Sequence, residues 1–558
     1  MFPTLPAALA HHAETIPDQR FTRFLKSGAE VKSRTFVEAW EAATQWAALF
    51  AERGLLRGDR IIIALPNSDA FVGAYYGALV AGCVPAPIAP LRRIEENDSY
   101  LQIVNDRARF IGAKAIVVAE DQLRITNYEL LRNISILSDS HLDPAHTLTA
   151  IASAPDDLAL IQFTSGTLGR PKAVMLSQRA LVAQVCLLRD RLELFDRFKE
   201  RGVSWLPLFH DMGLIGFLLT PGYAGGEINL MPPEDFVLRP TLWLKALTEH
   251  RATITGGPPS AFALCAKRVK DSDVGQYDLS PLRVALVGAE MVTRESVTAF
   301  VEKFGPAGLR ASALIPTYGL AENCLAVTMP PLKSSPAFDV IDAVALADGK
   351  AVPDRDGSPA NARWFASVGA PLPGVSIRIV DESGSDLPER QIGEVLVQSD
   401  CVMEGYFGNE MDTQSAIRNH WLYTGDLGYL ADGNLHITGR KKEVIIVGGR
   451  SYYPDDVEQV VSGVAGVRMD RAVAVGIEDV ELATEKLIVL AETDRAEAAE
   501  REALRLNIRH ALIDAGYPVG DVILLKPKSI QSTLTGKLKR IDCKARYVTG
   551  EFDNGVNG

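Results

Sequence analysis

The chain has 558 residues, 47% of them hydrophobic and 23% charged, and a formal net charge of −12. That length exceeds what one hydrophobic core supports, so more than one domain is expected, and the apolar fraction argues against a disordered chain. The acidic balance argues against a general nucleic-acid binder, which needs a basic face.

Residues 1–20 show no basic stretch followed by an apolar run, so no signal peptide is expected. An apolar strand is expected over 60–65 and a helix over about 68–81. Residues 73–91 carry no charge and are long enough to raise the question of a membrane span, but Pro85, Pro87 and Pro90 would break such a helix. A buried helix through Ala81, then an extended segment, is expected instead, with no span. Another strand follows at 114–119. This alternation continues through the first 320 residues and predicts an α/β protein in layers.

Residues 163–172 read Phe-Thr-Ser-Gly-Thr-Leu-Gly-Arg-Pro-Lys, between apolar runs at 158–161 and 173–176. Those runs predict a strand on each side. Glycines let a backbone approach a polyanion closely, and successive N–H groups in such a turn form an anion-binding nest. The hydroxyls of Thr164, Ser165 and Thr167 and the cations of Arg170 and Lys172 suit phosphate. A P-loop kinase or GTPase is disfavoured, because Pro171 separates Gly169 from Lys172 and a strand, not a helix, follows.

Residues 205–216 read Trp-Leu-Pro-Leu-Phe-His-Asp-Met-Gly-Leu-Ile-Gly; His210 with Asp211 has the composition of a general base and its orienter, although sequence neighbours need not face each other. A strand over 252–255 leads to Gly256-Gly257-Pro258, and one over 283–287 leads to Gly288-Ala289-Glu290. Tyr318-Gly319-Leu320-Ala321-Glu322 follows an apolar segment and opens a helix-like run. Here an aromatic ring could stack on a purine and a carboxylate could serve Mg²⁺, or both could be ordinary core and helix-end residues.

From about residue 366 short strands and turns predict a small β-rich subdomain. It holds Tyr423-Thr424-Gly425-Asp426, which alone reads as a turn, and Gly439-Arg440-Lys441-Lys442. A carboxylate suits vicinal ribose hydroxyls and an arginine supplies fixed donors. Strands near 445–447, 472–475 and 486–491 and helices near 454–463 and 496–515 predict a separate α+β C-terminal domain. Near its end lies Thr533-Leu-Thr-Gly-Lys-Leu-Lys-Arg540, which alone reads as a basic surface turn. The six cysteines (Cys83, Cys186, Cys265, Cys324, Cys401, Cys543) lack zinc-ligand spacing, and scattered thiols predict a reducing, cytoplasmic setting.

These motifs, in this order over nearly the whole chain, resemble the adenylate-forming superfamily of acyl-CoA synthetases, peptide-synthetase adenylation domains, luciferases and fatty acyl-AMP ligases. The loop departs from the usual pattern at Leu168, where Thr or Ser is common, and at Ala173, where Gly is common. The resemblance implies a large N-terminal domain over 1–440, made of two layered α/β subdomains and the β-rich one. It also implies a mobile C-terminal domain over 443–558 with a hinge near 441–442 at Lys442. It implies that ATP is held by Thr164, Ser165, Gly166, Thr167, Gly169 and Lys172 at the phosphates. Gly288, Ala289, Glu290, Tyr318, Gly319 and Leu320 would lie at adenine, and Asp426 and Arg440 at ribose. Glu322, with Thr167, would serve Mg²⁺, and Lys537 would reach the α-phosphate and the substrate carboxylate.

The Trp205–Gly216 stretch, Gly256-Gly257-Pro258, Gly-Arg-Ser-Tyr-Tyr-Pro at 449–454 and a long interval between Glu322 and Gly369 resemble the fatty acyl-AMP ligase branch. In that branch the extra segment restrains the C-terminal domain and disfavours use of CoA. His210 would then lie at the carboxylate end of an acyl tunnel, for which Phe209, Met231, Ile254 and Gly257 are candidates. The implied activity is ATP-dependent conversion of a medium- or long-chain fatty acid to acyl-AMP, then transfer to an acyl carrier protein. The rivals are an acyl- or aryl-CoA synthetase and, in another class, an inactive acyl-nucleotide-binding scaffold, which the joint presence of Glu322 and Lys537 disfavours.

Overall fold

The computed structural model describes the chain apart from residues 91–96, 125–133, 151, 165–171, 195–199, 355–361, 449, 480–483, 533–537 and 553–558. A seven-stranded sheet organises the larger part. Its order runs Leu314–Pro316, Val284–Val287, Ile254–Gly257, Arg201–Ser204, Glu227–Leu230, Arg20–Lys26 and Ala29–Thr35. Every pairing but the last is parallel. The run Val-Ala-Leu-Val at 284–287 is wholly buried, as a parallel strand covered on both faces should be. The two N-terminal strands, 20–26 and 29–35, carry no clean alternation of apolar residues (Ala29–Thr35 has no buried residue), and the sequence reading did not find them.

The uncharged stretch forms the helix Asp69–Val80, capped by Ser68, and then the strand Val84–Pro87. That strand lies at the edge of a four-stranded parallel sheet, beside Arg60–Ala64, where a missing N–H is tolerated. Gly73 and Gly77 let this helix close on Phe36–Glu52. A Cβ on Gly77 would lie 2.4 Å from Trp46 Cβ. Among the described residues no helix is long and apolar enough to cross a membrane.

A five-stranded antiparallel sheet follows, centred on Trp421–Ala431, which pairs with Gly393–Gln398 on one side and with Asn434–Arg440 and Ile417–Arg418 on the other. Thr424-Gly425-Asp426 therefore lies inside an eleven-residue strand, not in a turn. Gly425 at φ +73° supplies an irregularity that a side chain would resist.

Beyond residue 444 the chain buries its own core. A three-stranded sheet (Val467–Asp479, Thr484–Thr493, Val519–Leu525) is covered on one face by Pro454–Ser462 and Ala498–Asp514, and on the other by Arg540–Val548. Val519–Leu525 was not anticipated: Asp521 interrupts its apolar run, and it pairs in parallel with Thr484–Thr493. The segment between Glu322 and Gly369 folds as the hairpin Phe338–Asp342 with Ala362–Ala366, carrying the short helix Ala343–Ala347. Its Ile341, Leu346 and Phe365 pack with Tyr429 and with Tyr453 of the C-terminal part.

Candidate active site

The expected residues gather where parallel strands of the large sheet end. Arg201–Ser204 runs into Trp205–Asp211, Glu227–Leu230 into Met231, Ile254–Gly257 ends on Gly257, Val284–Val287 leads to Gly288, and Leu314–Pro316 to Tyr318. The carboxyl ends of parallel strands are where open α/β sheets bind ligands. Ile254 does not join them. It begins its strand, three residues before Gly257, so it lies about 10 Å away at 3.3 Å per residue. Met231 is fully buried and its N–H donates to Ser204 O at 2.8 Å.

Glycine is required at two of these strand ends. A Cβ on Gly288 would come within 2.8 Å of Thr317 Oγ1, and one on Gly319 within 1.8 Å of Leu325 O. The second contact arises because the chain reverses directly after Tyr318. The helix-like run expected there is a single 3₁₀ turn, Ala321–Asn323, followed by the strand Ala326–Met329, which pairs back on Tyr318–Gly319. Ala289 adopts φ +68°, and Glu290 accepts a bond from Ser260 Oγ at 2.9 Å.

Tyr318 and Asp426, 108 positions apart, meet directly: the hydroxyl donates to Asp426 Oδ2 at 2.7 Å. Asp426 lies opposite Arg440 in the antiparallel register, and Arg440 Nε stands 3.2 Å from Oδ1. Asp426 is 6% exposed and Tyr318 9%. Burial, then the Asp426 charge, hold the Tyr318 hydroxyl well above the ordinary phenol range. Glu322 accepts a hydrogen bond on Oε1 from Tyr406 at 2.9 Å. Burial raises its carboxyl, while a backbone N–H bond, Tyr406 and the Arg440 charge draw it back.

On the other flank, Thr164 and Lys172 face each other across the Leu158–Thr164 and Lys172–Ser177 hairpin. Lys172 Nζ sits 4.1 Å from the Tyr406 ring centroid and 3.4 Å from Asp412 Oδ2. Ser165, Gly166, Thr167 and Gly169 lie outside the described residues, as does Lys537. Gln162 Nε2 donates to Phe209 O at 2.8 Å, tying that hairpin to the His210 segment. Gln162 Oε1 is buried without a hydrogen-bond partner among the described residues, and such an atom calls for a ligand or water.

His210 and Asp211 do face each other, Nδ1 to Oδ1 at 2.6 Å. Asp211 Oδ1 also accepts from Met212 N at 2.7 Å and so caps the π-helix Met212–Leu219. π-helical turns are rare and occur often at functional sites. His210 remains 39% exposed in its side chain. Lys442 is exposed, while Lys441 beside it is pinned by its N–H to Gly425 O and by Nζ to Glu394 Oε2, both at 2.9 Å.

No group of three or more acidic, His or Cys side chains able to hold a metal occurs among the described residues. One partly buried carboxylate, Glu322, joined through Tyr406 to Lys172, suits a cation that keeps its waters and shares phosphate oxygens, which is how Mg²⁺ binds nucleotides. Sequence reasoning missed Tyr406 and Gln162. Glycines at 405 and 408, both with positive φ, bracket Tyr406 and were the one local sign of a constrained aromatic.

A family model described as AMP-binding enzyme matches residues 9–407. A relative from Caulobacter vibrioides, whose name assigns it provisionally to the acyl-CoA synthetases, is 32% identical over 99% of this chain and 96% of its own length. The medium-chain-fatty-acid–[acyl-carrier-protein] ligase JamA of Moorena producens is 30% identical over 99% of this chain and 96% of its own. A solved structure from work on the fatty acyl-adenylate ligases of E. coli and L. pneumophila superposes with a TM-score of 0.91 at 30% identity, covering 99% of this chain and 98% of that one.

Proposed function

Because the chain belongs to the AMP-binding enzyme family, we propose that it is a fatty acyl-AMP ligase that passes its product to an acyl carrier protein. The observation that carries this reading is the meeting of Tyr318, Asp426 and Arg440 beside Glu322 and Lys172, at the ends of the parallel strands. That group offers an aromatic ring, a ribose-binding carboxylate, a metal carboxylate and a phosphate cation in one place.

In the reaction one oxygen of the fatty acid carboxylate attacks the α-phosphorus of ATP. The bond to the bridging oxygen breaks, and pyrophosphate leaves with that electron pair. Charge spreads over the phosphoryl oxygens, so catalysis is positioning and electrostatic stabilisation. Asp426 and Arg440 hold ribose, with Tyr318, Gly319, Leu320 and Gly288–Glu290 at the base. Thr164, Lys172 and the loop between them hold the outer phosphates. Glu322 would hold Mg²⁺, which when bound neutralises phosphate charge. His210, fixed by Asp211, faces the carboxylate end of the acyl site formed by Phe209, Met231 and Gly257. Lys537 comes from the C-terminal domain, residues 443–558, which turns about Lys442.

Incubation with ATP, a panel of fatty acids and hydroxylamine tests this. Acyl-hydroxamate and pyrophosphate are expected with medium- or long-chain acids, and no pyrophosphate with any acid would end the reading and favour a scaffold. The Caulobacter relative keeps a second reading open, an acyl-CoA synthetase. Addition of CoA against holo-carrier protein separates them: thioester on the carrier alone supports the ligase, and acyl-CoA at a comparable rate supports the synthetase.

The extra hairpin bears on that choice. Arg363 on its second strand donates from Nε to Tyr517 Oη and from Nη2 to Ala515 O, both at 3.0 Å, and its guanidinium lies 5.2 Å over the Tyr517 ring. Asp456, whose carboxyl burial pushes up to about 7 and Arg363 draws back, stands alongside. Hydrogen bonds from a charged donor contribute about 1.5–3 kcal/mol each. Arg363→Ala should therefore loosen the C-terminal domain. Faster amide exchange at residues 515–517 and a severalfold rise in acyl-CoA formation are expected; unchanged exchange and product would remove Arg363 from this role.

A further inference from the structure

The geometry points to Tyr406 as a positioning residue that serves both halves of the phosphate and metal site, its hydroxyl orienting the Glu322 carboxylate and its ring face seating the Lys172 ammonium. This rests on the nucleotide reading above. The residue is held from several sides. Met403 N donates to Glu322 O at 2.9 Å, so the segment carrying Tyr406 is bonded to the very residue its hydroxyl serves. On the other side Glu404 N and Phe407 N donate to Met175 O and Ala173 O, at 2.9 and 2.8 Å, and Tyr406 itself pairs with Val174, two positions from Lys172. Tyr406 N donates to Thr413 Oγ1 at 2.9 Å. With 6% exposure the ring has little freedom.

The two contacts of Tyr406 are chemically separable. Its hydroxyl has one proton, given to Glu322 Oε1, which fixes the carboxylate plane and leaves the second oxygen for a cation. A partner that orients a metal ligand in this way tunes metal affinity by about tenfold or more. The ring engages Lys172 through its face, so it does not compete with a phosphate oxygen for the ammonium protons. Asp412 does compete: it is an anion, 44% exposed in its side chain, on the same ammonium. Lys172 is thus seated by the ring and restrained by Asp412, and arriving phosphate displaces the second contact while keeping the first.

Titration calorimetry with a non-hydrolysable ATP analogue, with and without Mg²⁺, tests this on the full-length chain. Tyr406→Phe keeps the ring, so metal-free affinity should stay within twofold of the parent. The gain in affinity on adding Mg²⁺ should fall by about tenfold, and the Mg²⁺ concentration for half-maximal adenylate formation should rise with it, the KM for the fatty acid staying fixed. Tyr406→Leu should also weaken metal-free binding by about fivefold, as loss of a desolvated cation–π contact does. Asp412→Asn should tighten it by about two- to fivefold at low salt, the reach of a partly exposed ion pair, and the gain should shrink as salt rises.

A purely structural role for Tyr406 would lower the melting temperature without separating metal-free from metal-assisted binding. Parent-like Mg²⁺ dependence in Tyr406→Phe, or weaker binding in Asp412→Asn, overturns the inference. Asp412 is on the surface, so its variant is informative even if Tyr406→Leu fails to fold. The calorimetric readout needs no turnover. Nucleotide binding with the expected Tyr406 pattern but no adenylation of any acid would uphold this inference and overturn the ligase reading; no nucleotide binding at all would overturn both.

Discussion

Lys537→Ala will slow acyl-adenylate formation by about 10²- to 10³-fold, the loss expected when one preorganised donor is withdrawn from developing charge, while ATP still binds. The nucleotide contacts proposed above come from Thr164, Lys172, Tyr318, Asp426 and Arg440, all on the large domain, so affinity does not depend on the C-terminal lysine. Its contribution is made only when the carboxylate and α-phosphate approach, and it is a matter of position. The backbone bonds that flank residues 533–537 do not need the lysine itself. Ser532 bridges Leu538, and Lys539 N donates to Gln531 O at 3.0 Å.

Directly after the loop, Arg540 bonds Glu458 and Glu443, at 2.7 and 2.6 Å, and also Asp455. Glu443 follows the proposed hinge residue, so Arg540 ties the segment after the lysine motif to the start of the C-terminal part through one partly buried ion cluster. Burial raises the Glu458 carboxyl to about 7 despite Arg540. Because this cluster survives the substitution, Lys537→Ala is expected to fold and melt like the parent. Hydroxamate formation measures the rate and calorimetry the nucleotide affinity. Adenylation at the parent rate would remove Lys537 from its role, and a parallel loss of ATP affinity would make it a binding residue instead.

Sequence showed much of the candidate site because its parts are chemically conspicuous over a few residues: a hydroxyl- and glycine-rich loop, a Tyr-Gly before a glutamate, an aspartate with an arginine fourteen positions on. Each such element is set by local demands, as at Gly288 and Gly319, where no Cβ fits. What stayed hidden depends on register between distant strands. Asp426 looked like part of a turn because Gly425 interrupts the strand pattern, and only the register shows that it stands directly opposite Arg440 inside a sheet. Tyr406 carries no motif signal of its own, and its place follows from pairing with Val174. Ile254 and Gly257 are close in sequence, yet extended backbone sets them about 10 Å apart. The parallel strand Val519–Leu525 needed a partner more than twenty-five residues back, which no local pattern announces.

Asp426→Ala is expected to raise the KM for ATP at least about a hundredfold, since two hydrogen bonds from ribose hydroxyls to a charged acceptor contribute about 1.5–3 kcal/mol each. The carboxylate is already oriented before nucleotide arrives. Tyr318 fixes Oδ2 and Arg440 fixes Oδ1, so ribose meets an acceptor that has lost its rotational freedom, and little ordering cost remains. Arg440 is 54% exposed in its side chain, so solvent screens the charge left behind and the stability cost is modest. The loss should appear in ATP affinity and in kcat/KM for ATP, with the KM for the fatty acid nearly unchanged. Tyr318→Phe separates positioning from contact: it keeps the ring for the base and frees Oδ2, and should cost less than Asp426→Ala, because the ribose contacts remain and only the preorientation of the carboxylate is lost. If Asp426→Ala binds ATP like the parent while Tyr318→Phe does not, the ribose belongs elsewhere and the Tyr318–Asp426 bond is a packing contact of the sheet edge.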